Sequence, residues 1–202
     1  MTIPCSGVIL CGGRAKRFSG REKSFLRVGE QRILDRVYSV FKELFDEIIL
    51  VTNNPLQFIE WDLNIVTDLF DIRSSLTGIH AGLFYATNPY AFFSACDVPF
   101  LNKSLVETVL EGIDDNIDIV IPETSAGREP MCAVYSKKCL VTAEQHIKKQ
   151  KLKIQLAFRK SRIRTISEKK LREKDPELLS FFNINTPQDL ERAQEMIKQI
   201  EI

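Results

Sequence analysis

Tandem glycines followed by five cations within ten residues make the stretch from Leu10 to Lys23 the most chemically directed part of the chain. Leu10, Cys11, Gly12 and Gly13 lead into Arg14, Lys16, Arg17, Arg21 and Lys23. Glycine has no Cβ, so Gly12 and Gly13 let the backbone take positive φ and bring N–H groups within reach of phosphate oxygens. Arginine adds bidentate contacts and lysine a compact, mobile charge; of the five, Arg17 and Lys23 are chosen to face a ligand. The pattern predicts a loop that wraps a polyphosphate, against the alternative of an ordinary Gly-Gly turn with a solvated basic loop. Two other phosphate loops are excluded by spacing. The order Gly12, Gly13, Gly20 does not give G-x-G-x-x-G, and Glu22 rather than glycine precedes Lys23-Ser24.

Further polar groups stand where apolar runs end. Asn53 follows Thr52, with Asn54 one residue on as the alternative contact; Asp68 follows Ile65-Val66-Thr67; Asp97 follows Phe92-Phe93-Ser94-Ala95-Cys96. Asn and Asp also start ordinary turns. Four exits that converge on one rim weaken that reading. In Cys96-Asp97-Val98-Pro99-Phe100 the carboxylate leaves an otherwise small or apolar strand, and Pro99 stiffens the exit. Magnesium takes hard oxygen ligands, usually one or two carboxylates with phosphate oxygens and water, and Asp97 beside a nucleotide fits that description. The competing role, capping the helix after Lys103, suits Asn102 better. His80 and His146 fall in no motif and are expected to be surface or helix residues. No nucleophile–base pair points to a covalent mechanism.

The elements that position these groups follow from periodicity. Apolar residues at helical spacing predict a helix over 33–45, and E-I-I-L-V at 47–51 a central parallel strand ended by Asn53-Asn54-Pro55. A strand at 65–66, a helix at 77–87, a strand at 91–95, a helix at 103–111 closed by Gly112, and strands at 117–121 and 131–135 continue the alternation. Strands alternating with helices imply α/β architecture: a single three-layer α/β/α domain over 1–202 with a mostly parallel, Rossmann-like sheet. Ligands of such sheets bind beyond the carboxyl ends of the strands, which is where the exits lie. At the other end of the chain Thr186 is a good N-cap, Pro187 suits the first helical position and Asp189 can reach back across the first turn.

Composition narrows the function. The 202 residues, 44% hydrophobic, suit one globular domain. No apolar run approaches the ~20 residues of a membrane span, and Met1-Thr2-Ile3-Pro4 leads straight toward a strand, so a cytoplasmic protein is expected. Five cysteines without a C-x-x-C pair suggest free thiols in a reducing compartment. The net charge of +1 conceals a run over 148–174 with twelve Lys or Arg against two Glu. This is a solvated surface or an attractor of an anionic substrate or acidic partner; with Phe158 its single aromatic, it lacks the stacking platforms of single-strand nucleic-acid binders.

The glycine loop resembles that of the MobA-type molybdenum cofactor guanylyltransferases, L-A-G-G-x-x-x-R-M-G-x-x-D-K, with Cys11, Phe18-Ser19 and Glu22 as departures. Val66-Thr67-Asp68, the Leu76 to Leu83 segment, Cys96-Asp97-Val98-Pro99-Phe100 and Phe181 to Leu190 resemble further blocks in the same order. Ser74-Ser75 stands where that family has Gly-Pro, and Glu129 where it has a histidine ahead of a similar strand, with Arg128 beside it. The resemblance implies a nucleotide-diphospho-sugar transferase-like fold and transfer of GMP from GTP to molybdopterin with release of pyrophosphate. It implies a nucleotide held by Leu10, Cys11, Gly12, Gly13, Lys23, Asn53, Asp68 and Asp97. Arg17, Lys23 and Asp97 are the catalytic candidates, and Mg2+ the cofactor, bound by Asp97 with Asn185 as a second ligand or as holder of the acceptor phosphate. A molybdoenzyme or another cofactor-biosynthesis protein is the partner implied. Rival readings are a related transferase using CTP or a sugar-phosphate acceptor, a noncatalytic nucleotide-binding regulator, and a nucleic-acid binder working through 148–174.

Overall fold

A computed structural model describes residues 3–12 and 23–200, the side chain of the last excepted. Gly13, Arg17 and the cations between Arg14 and Arg21 lie outside the described residues. The first strand, β1 (Cys5–Leu10), is followed by a helical turn, Lys23–Phe25, and a small hairpin of β2 (Arg27–Val28) and β3 (Gln31–Arg32). Then come α1 (Ile33–Leu44), β4 (Ile48–Val51), β5 (Asn64–Val66), α2 (Ser75–Tyr85), β6 (Tyr90–Ala95), α3 (Lys103–Leu110), β7 (Ile119–Thr124), β8 (Gly127–Arg128) and β9 (Cys132–Ser136). The chain ends through α4 (Cys139–Lys148), α5 (Ile154–Ala157), β10 (Ile163–Ser167), α6 (Glu168–Arg172) and α7 (Pro187–Ile200).

The main sheet has the order β10-β7-β9-β6-β1-β4-β5, with β8 paired to β7. The contacts β1–β4, β1–β6, β4–β5 and β7–β10 are parallel; β9 runs antiparallel to both its neighbours. From β1 the chain steps outward through β4 to β5 and then returns to β6 on the other side of β1, so the strand order reverses between β1 and β6. A crevice opens at such a reversal, and here it falls between Gly12 and Asp97.

Two cores cover the sheet, as the predicted three layers require. One face carries Ile9, Leu50 and Phe92 against Val37 and Phe41 of α1 and Val106 and Val109 of α3. The other carries Val8, Ile49 and Phe93 against Ile79 and Leu83 of α2 and Ala143 and Ile147 of α4. Close approach of α2 depends on Gly82: a Cβ there would lie 2.6 Å from Phe93 and 2.7 Å from Val8. A third, smaller core joins Val28, Ile33 and Ile184 to Ala193 and Ile197 of α7, and Gln194 locks α7 to the β2–β3 hairpin by accepting from the Gly29 N–H and donating to the Arg27 carbonyl.

The observed bounds shift several predicted ones by one or two residues. Helix α2 begins at Ser75, not residue 77, because the side chain of Ser74 accepts from the Thr77 N–H while Thr77 accepts from the Ser74 N–H. That reciprocal cap satisfies two helix-end donors and gives the Ser74-Ser75 departure a structural meaning. Asn102 caps α3 as expected, accepting from Leu105 N–H at 3.1 Å. His80 lies in α2 and His146 in α4; contrary to a surface placement, His80 is buried. The basic run folds as α5, β10 and α6, and Arg162, Lys170 and Arg172 pair with Asp118, Glu111 and Glu168. Part of the charge polarity is thus settled within the chain, where Arg162 and Lys170 meet the acidic 111–118 segment.

Candidate functional site

The cleft at the β1/β6 reversal has a volume of about 730 Å³ and is lined by residues from the ends of β1, β4, β5 and β6 together with Lys23, Met131 and Asn183. On its floor Leu10, Cys11 and Gly12 leave β1; the Cys11 N–H donates to Val51 O at 2.8 Å and the Cys96 N–H to Leu10 O at 3.1 Å, so the three strand exits are tied edge to edge. Gly12 is exposed, and among the described residues nothing packs on its Cβ side: a Cβ there would meet nothing within 4 Å.

Three of the predicted residues meet at one end. The Lys23 ammonium donates to Asp97 Oδ2 at 3.1 Å and to Asn185 Oδ1 at 2.6 Å, although the three are separated by up to 162 residues in sequence. Each is held from behind. Phe25, in the same turn as Lys23, stacks on Phe58 and Trp61 with ring centroids 5.1 and 5.7 Å apart. The Asp97 carbonyl accepts from Ile184 N–H at 3.0 Å, which binds the C-terminal segment to the end of β6. Asp189 accepts from the Asn185 and Thr186 N–H groups at 3.0 and 2.8 Å, and Thr186 Oγ1 accepts from Asp189 N–H, the N-terminal cap anticipated for α7.

At the other end Asn53 Nδ2 donates to Asp68 Oδ2 at 2.8 Å. Both Asn53 and Asn54 line the cleft; Asn53 is half-buried, and Asn54 is exposed with its N–H donating to Thr52 Oγ1. Burial raises the Asp68 pKa, opposed by the Asn53 hydrogen bond and by the charge of Arg73. Thr52, Asp71, Arg73, Ser74, Ser75, Met131 and Asn183 also line the cleft. Of these, Arg73 and the serines were legible only by following the chain beyond the Asp68 exit to the start of α2, whose N-terminus carries a partial positive charge suited to an anion.

The donors at this end are hard oxygens beside an ammonium, a set that could hold a hard cation or a phosphate. Asp97 supplies a carboxylate and Asn185 an amide oxygen, and the Lys23 ammonium between them shows that the pair accepts positive charge. Among the described residues no group of three His, Cys, Asp or Glu side chains forms, so a divalent ion here would draw its remaining ligands from a phosphate-bearing substrate and water, as magnesium commonly does. Burial pushes the Cys132 and Cys139 thiols up, the latter to about 12, away from the reactive thiolate form. Among the described residues no helix is long and apolar enough to cross a membrane.

A family model described as the MobA-like NTP transferase domain matches residues 7–164. The chain belongs to this family. The MobA-like match extends to curated relatives: it is 47% identical to a molybdenum cofactor guanylyltransferase of Desulfosudis oleivorans over 193 residues, 96% of each chain. It is 35% identical to a probable molybdenum cofactor guanylyltransferase of Natranaerobius thermophilus across the whole of both. Among solved structures it is similar to molybdopterin-guanine dinucleotide biosynthesis protein A from Archaeoglobus fulgidus, with a TM-score of 0.85 and 28% identity over 96% of this chain and 99% of that one. The MobA-like domain is thus a nucleotidyltransferase fold.

Proposed function

We propose that the protein is a guanylyltransferase that moves GMP from GTP to the terminal phosphate of molybdopterin and releases pyrophosphate. The observation that carries this reading is the meeting of Lys23, Asp97 and Asn185 at one end of the cleft, with the Asn53–Asp68 pair at the other. A triphosphate laid along the Leu10–Gly12 floor would place its charge against the first group and its nucleoside against the second. Gly13 and Arg17, outside the described residues, remain the further candidates for phosphate contact.

The reaction is displacement at the α-phosphorus, for which positioning and neutralisation of phosphate charge provide most of the acceleration. No general base is required, since the attacking phosphate is already ionised. In this reading Lys23 would move from the Asp97 and Asn185 oxygens onto phosphate oxygens and stabilise the charge that builds on the departing pyrophosphate. Asp97 and Asn185 are the residues that would hold magnesium, which when bound supplies Lewis-acid neutralisation of the phosphates. Asp68, ionised, can accept from a ribose hydroxyl or a base N–H, and the committed Asn53 amide leaves its carbonyl oxygen for a donor on the nucleoside. Cytoplasmic partners that supply or receive the cofactor accord with this activity.

The test is pyrophosphate release from purified protein with molybdopterin, Mg2+ and each of the four nucleoside triphosphates in turn. Turnover confined to GTP and dependent on molybdopterin supports the proposal. Turnover with CTP or a sugar-phosphate acceptor, or nucleotide binding without any turnover, replaces it with one of the rival readings.

A further inference from the structure

Beyond Asp97 the cleft runs toward the antiparallel strand β9, and the chain there carries a carboxylate that no role described above uses. Glu129 lies in the turn between β8 and β9. Its N–H donates to Pro122 O at 3.0 Å and its carbonyl accepts from Cys132 N–H at 3.1 Å, which fixes the turn at the carboxyl end of β7. Cys132 sits opposite Ser94 in the β6–β9 ladder, so the same turn stands beside the strand end that delivers Cys96 and Asp97. Met131, two residues on, lines the cleft.

The carboxyl group of Glu129 is half-buried, and among the described residues it has neither a hydrogen-bond donor nor a cationic partner. Its neighbour Arg128 does not offset it, because that guanidinium is turned to Glu123, Nε to Oε1 3.0 Å. Burial alone shifts Glu129, upward, and the charge of Glu129 helps to push the Cys132 thiol up. A half-buried carboxylate without donors costs stability, and a ligand that extends from the cleft past Met131 and brings donors removes that cost.

The charge of the acceptor decides which part of it can lie here. Its phosphate must reach the α-phosphorus near Lys23 and Asp97, and the nucleoside fills the β4–β5 side. The remainder of the acceptor therefore extends over β9 and β7, where a carboxylate repels anions and accepts hydrogen bonds. A 2-amino-4-oxo pyrimidine ring of the pterin kind offers an amino N–H and an adjacent ring N–H side by side, the paired-donor arrangement that carboxylates bind in bidentate fashion. We propose that Glu129 reads this ring edge of the acceptor and is a specificity-determining residue of the acceptor half-site; this rests on the acceptor being molybdopterin, as proposed above.

The test compares wild type with Glu129→Gln and Glu129→Ala in steady-state transfer to molybdopterin. The expected result is a rise in acceptor KM of roughly 10- to 100-fold, the loss expected for hydrogen bonds to a charged group, with kcat and the KM for GTP within about twofold. A second readout is inhibition competitive with molybdopterin by free pterin and by lumazine, whose 2-oxo group puts an acceptor where pterin has a donor. Wild type should prefer pterin by roughly tenfold or more, and Glu129→Gln should lose most of that preference. An acceptor KM unchanged in both variants, or no pterin preference in wild type, overturns the role of Glu129 and leaves the guanylyltransferase reading standing. Wild-type protein that turns over no molybdopterin overturns both.

Discussion

Replacing Lys23 by Ala separates a catalytic role for its ammonium from a structural one. The side chain is about a fifth exposed, as is Asp97, and makes one ion pair and one hydrogen bond to the amide of Asn185. Pairs this accessible are worth more than surface bridges, ~0–1 kcal/mol, and less than fully buried ones, ~3–5 kcal/mol when one partner is removed. A loss of ~1–2 kcal/mol is therefore expected on the scale of hydrogen bonds to charged groups, or a fall in Tm of roughly 2–8 °C for a chain of this size. Domains are typically stable by ~5–15 kcal/mol, so the variant stays folded at 25 °C. The effect on transfer is larger: removing one positive donor aimed at developing phosphate charge costs ~10²–10³-fold in kcat by analogy with oxyanion donors. The assay is kcat for pyrophosphate release at saturating GTP, beside a thermal melt of the same preparation. Because the ammonium no longer lies between Asp97 and Asn185, Mg2+ without nucleotide should also bind the variant more tightly than wild type. A kcat within threefold of wild type, or a kcat loss that tracks a loss of folded protein, refutes the reasoning.

Asp97→Ala should abolish detectable transfer while the variant keeps a cooperative melt, and added Mg2+ should not restore it; measurable turnover at more than about 1% of wild type, above the 10²–10³-fold loss of a single electrostatic group, contradicts the assignment. Asp68 is raised by burial, so its ionised form is disfavoured in the folded protein: its stabilising contribution is present below the ordinary carboxylate pKa and lost as pH rises through the raised value. Asp68→Asn should accordingly raise Tm at pH 7 by no more than about 2–4 °C, the effect of ~1 kcal/mol, give no gain well below the carboxylate range, and weaken GTP binding; an equal gain at all pH values speaks against this. In wild type the KM for GTP should rise as pH falls through that raised pKa, and a KM flat across weakly acid pH counts against an ionised Asp68. Gly82→Ala gains helix propensity of ~1 kcal/mol but sets a Cβ 2.6 Å from the buried Phe93 ring; overpacking of ~1–3 kcal/mol should prevail as a lowered Tm, and a variant as stable as wild type would show that α2 can retreat from the sheet.

Much of the site was readable because its residues stand at strand ends, and strand ends are marked in sequence. Ala91 to Phe93 is apolar and buried and Ser94 and Ala95 are small, so the polar Asp97 beyond them leaves the sheet at a defined point; the same holds for Asn53 after Val51 and for Asp68 after Val66. Asn185 entered as a candidate metal ligand or phosphate holder through the resemblance, and Thr186 and Asp189 announce the start of α7; its docking beside β6, with Asn185 hydrogen-bonded to Lys23, appears only in the structure. Orientation was the harder part. Nothing in the apolar run from Cys132 to Tyr135 distinguishes an antiparallel strand from its parallel neighbours, so the antiparallel setting of β9, which brings the turn of Glu129 beside the end of β6, appears only in three dimensions. The edge strand β10 was hidden for another reason: Arg164 and Thr165 point outward and are exposed, so the strand reads as part of a charged run. Charged outward residues on an edge strand also discourage pairing with other chains. The β2–β3 hairpin, at two residues per strand, is too short to show alternation.

A crystal structure with GTP and magnesium addresses the central claim most directly. The account predicts the triphosphate on the Leu10–Gly12 floor, Lys23 moved onto its oxygens, the guanosine against Asn53 and Asp68, and the metal bound to Asp97. A nucleotide bound outside this cleft, or an Asp97 carboxylate turned away from both metal and phosphates, contradicts it.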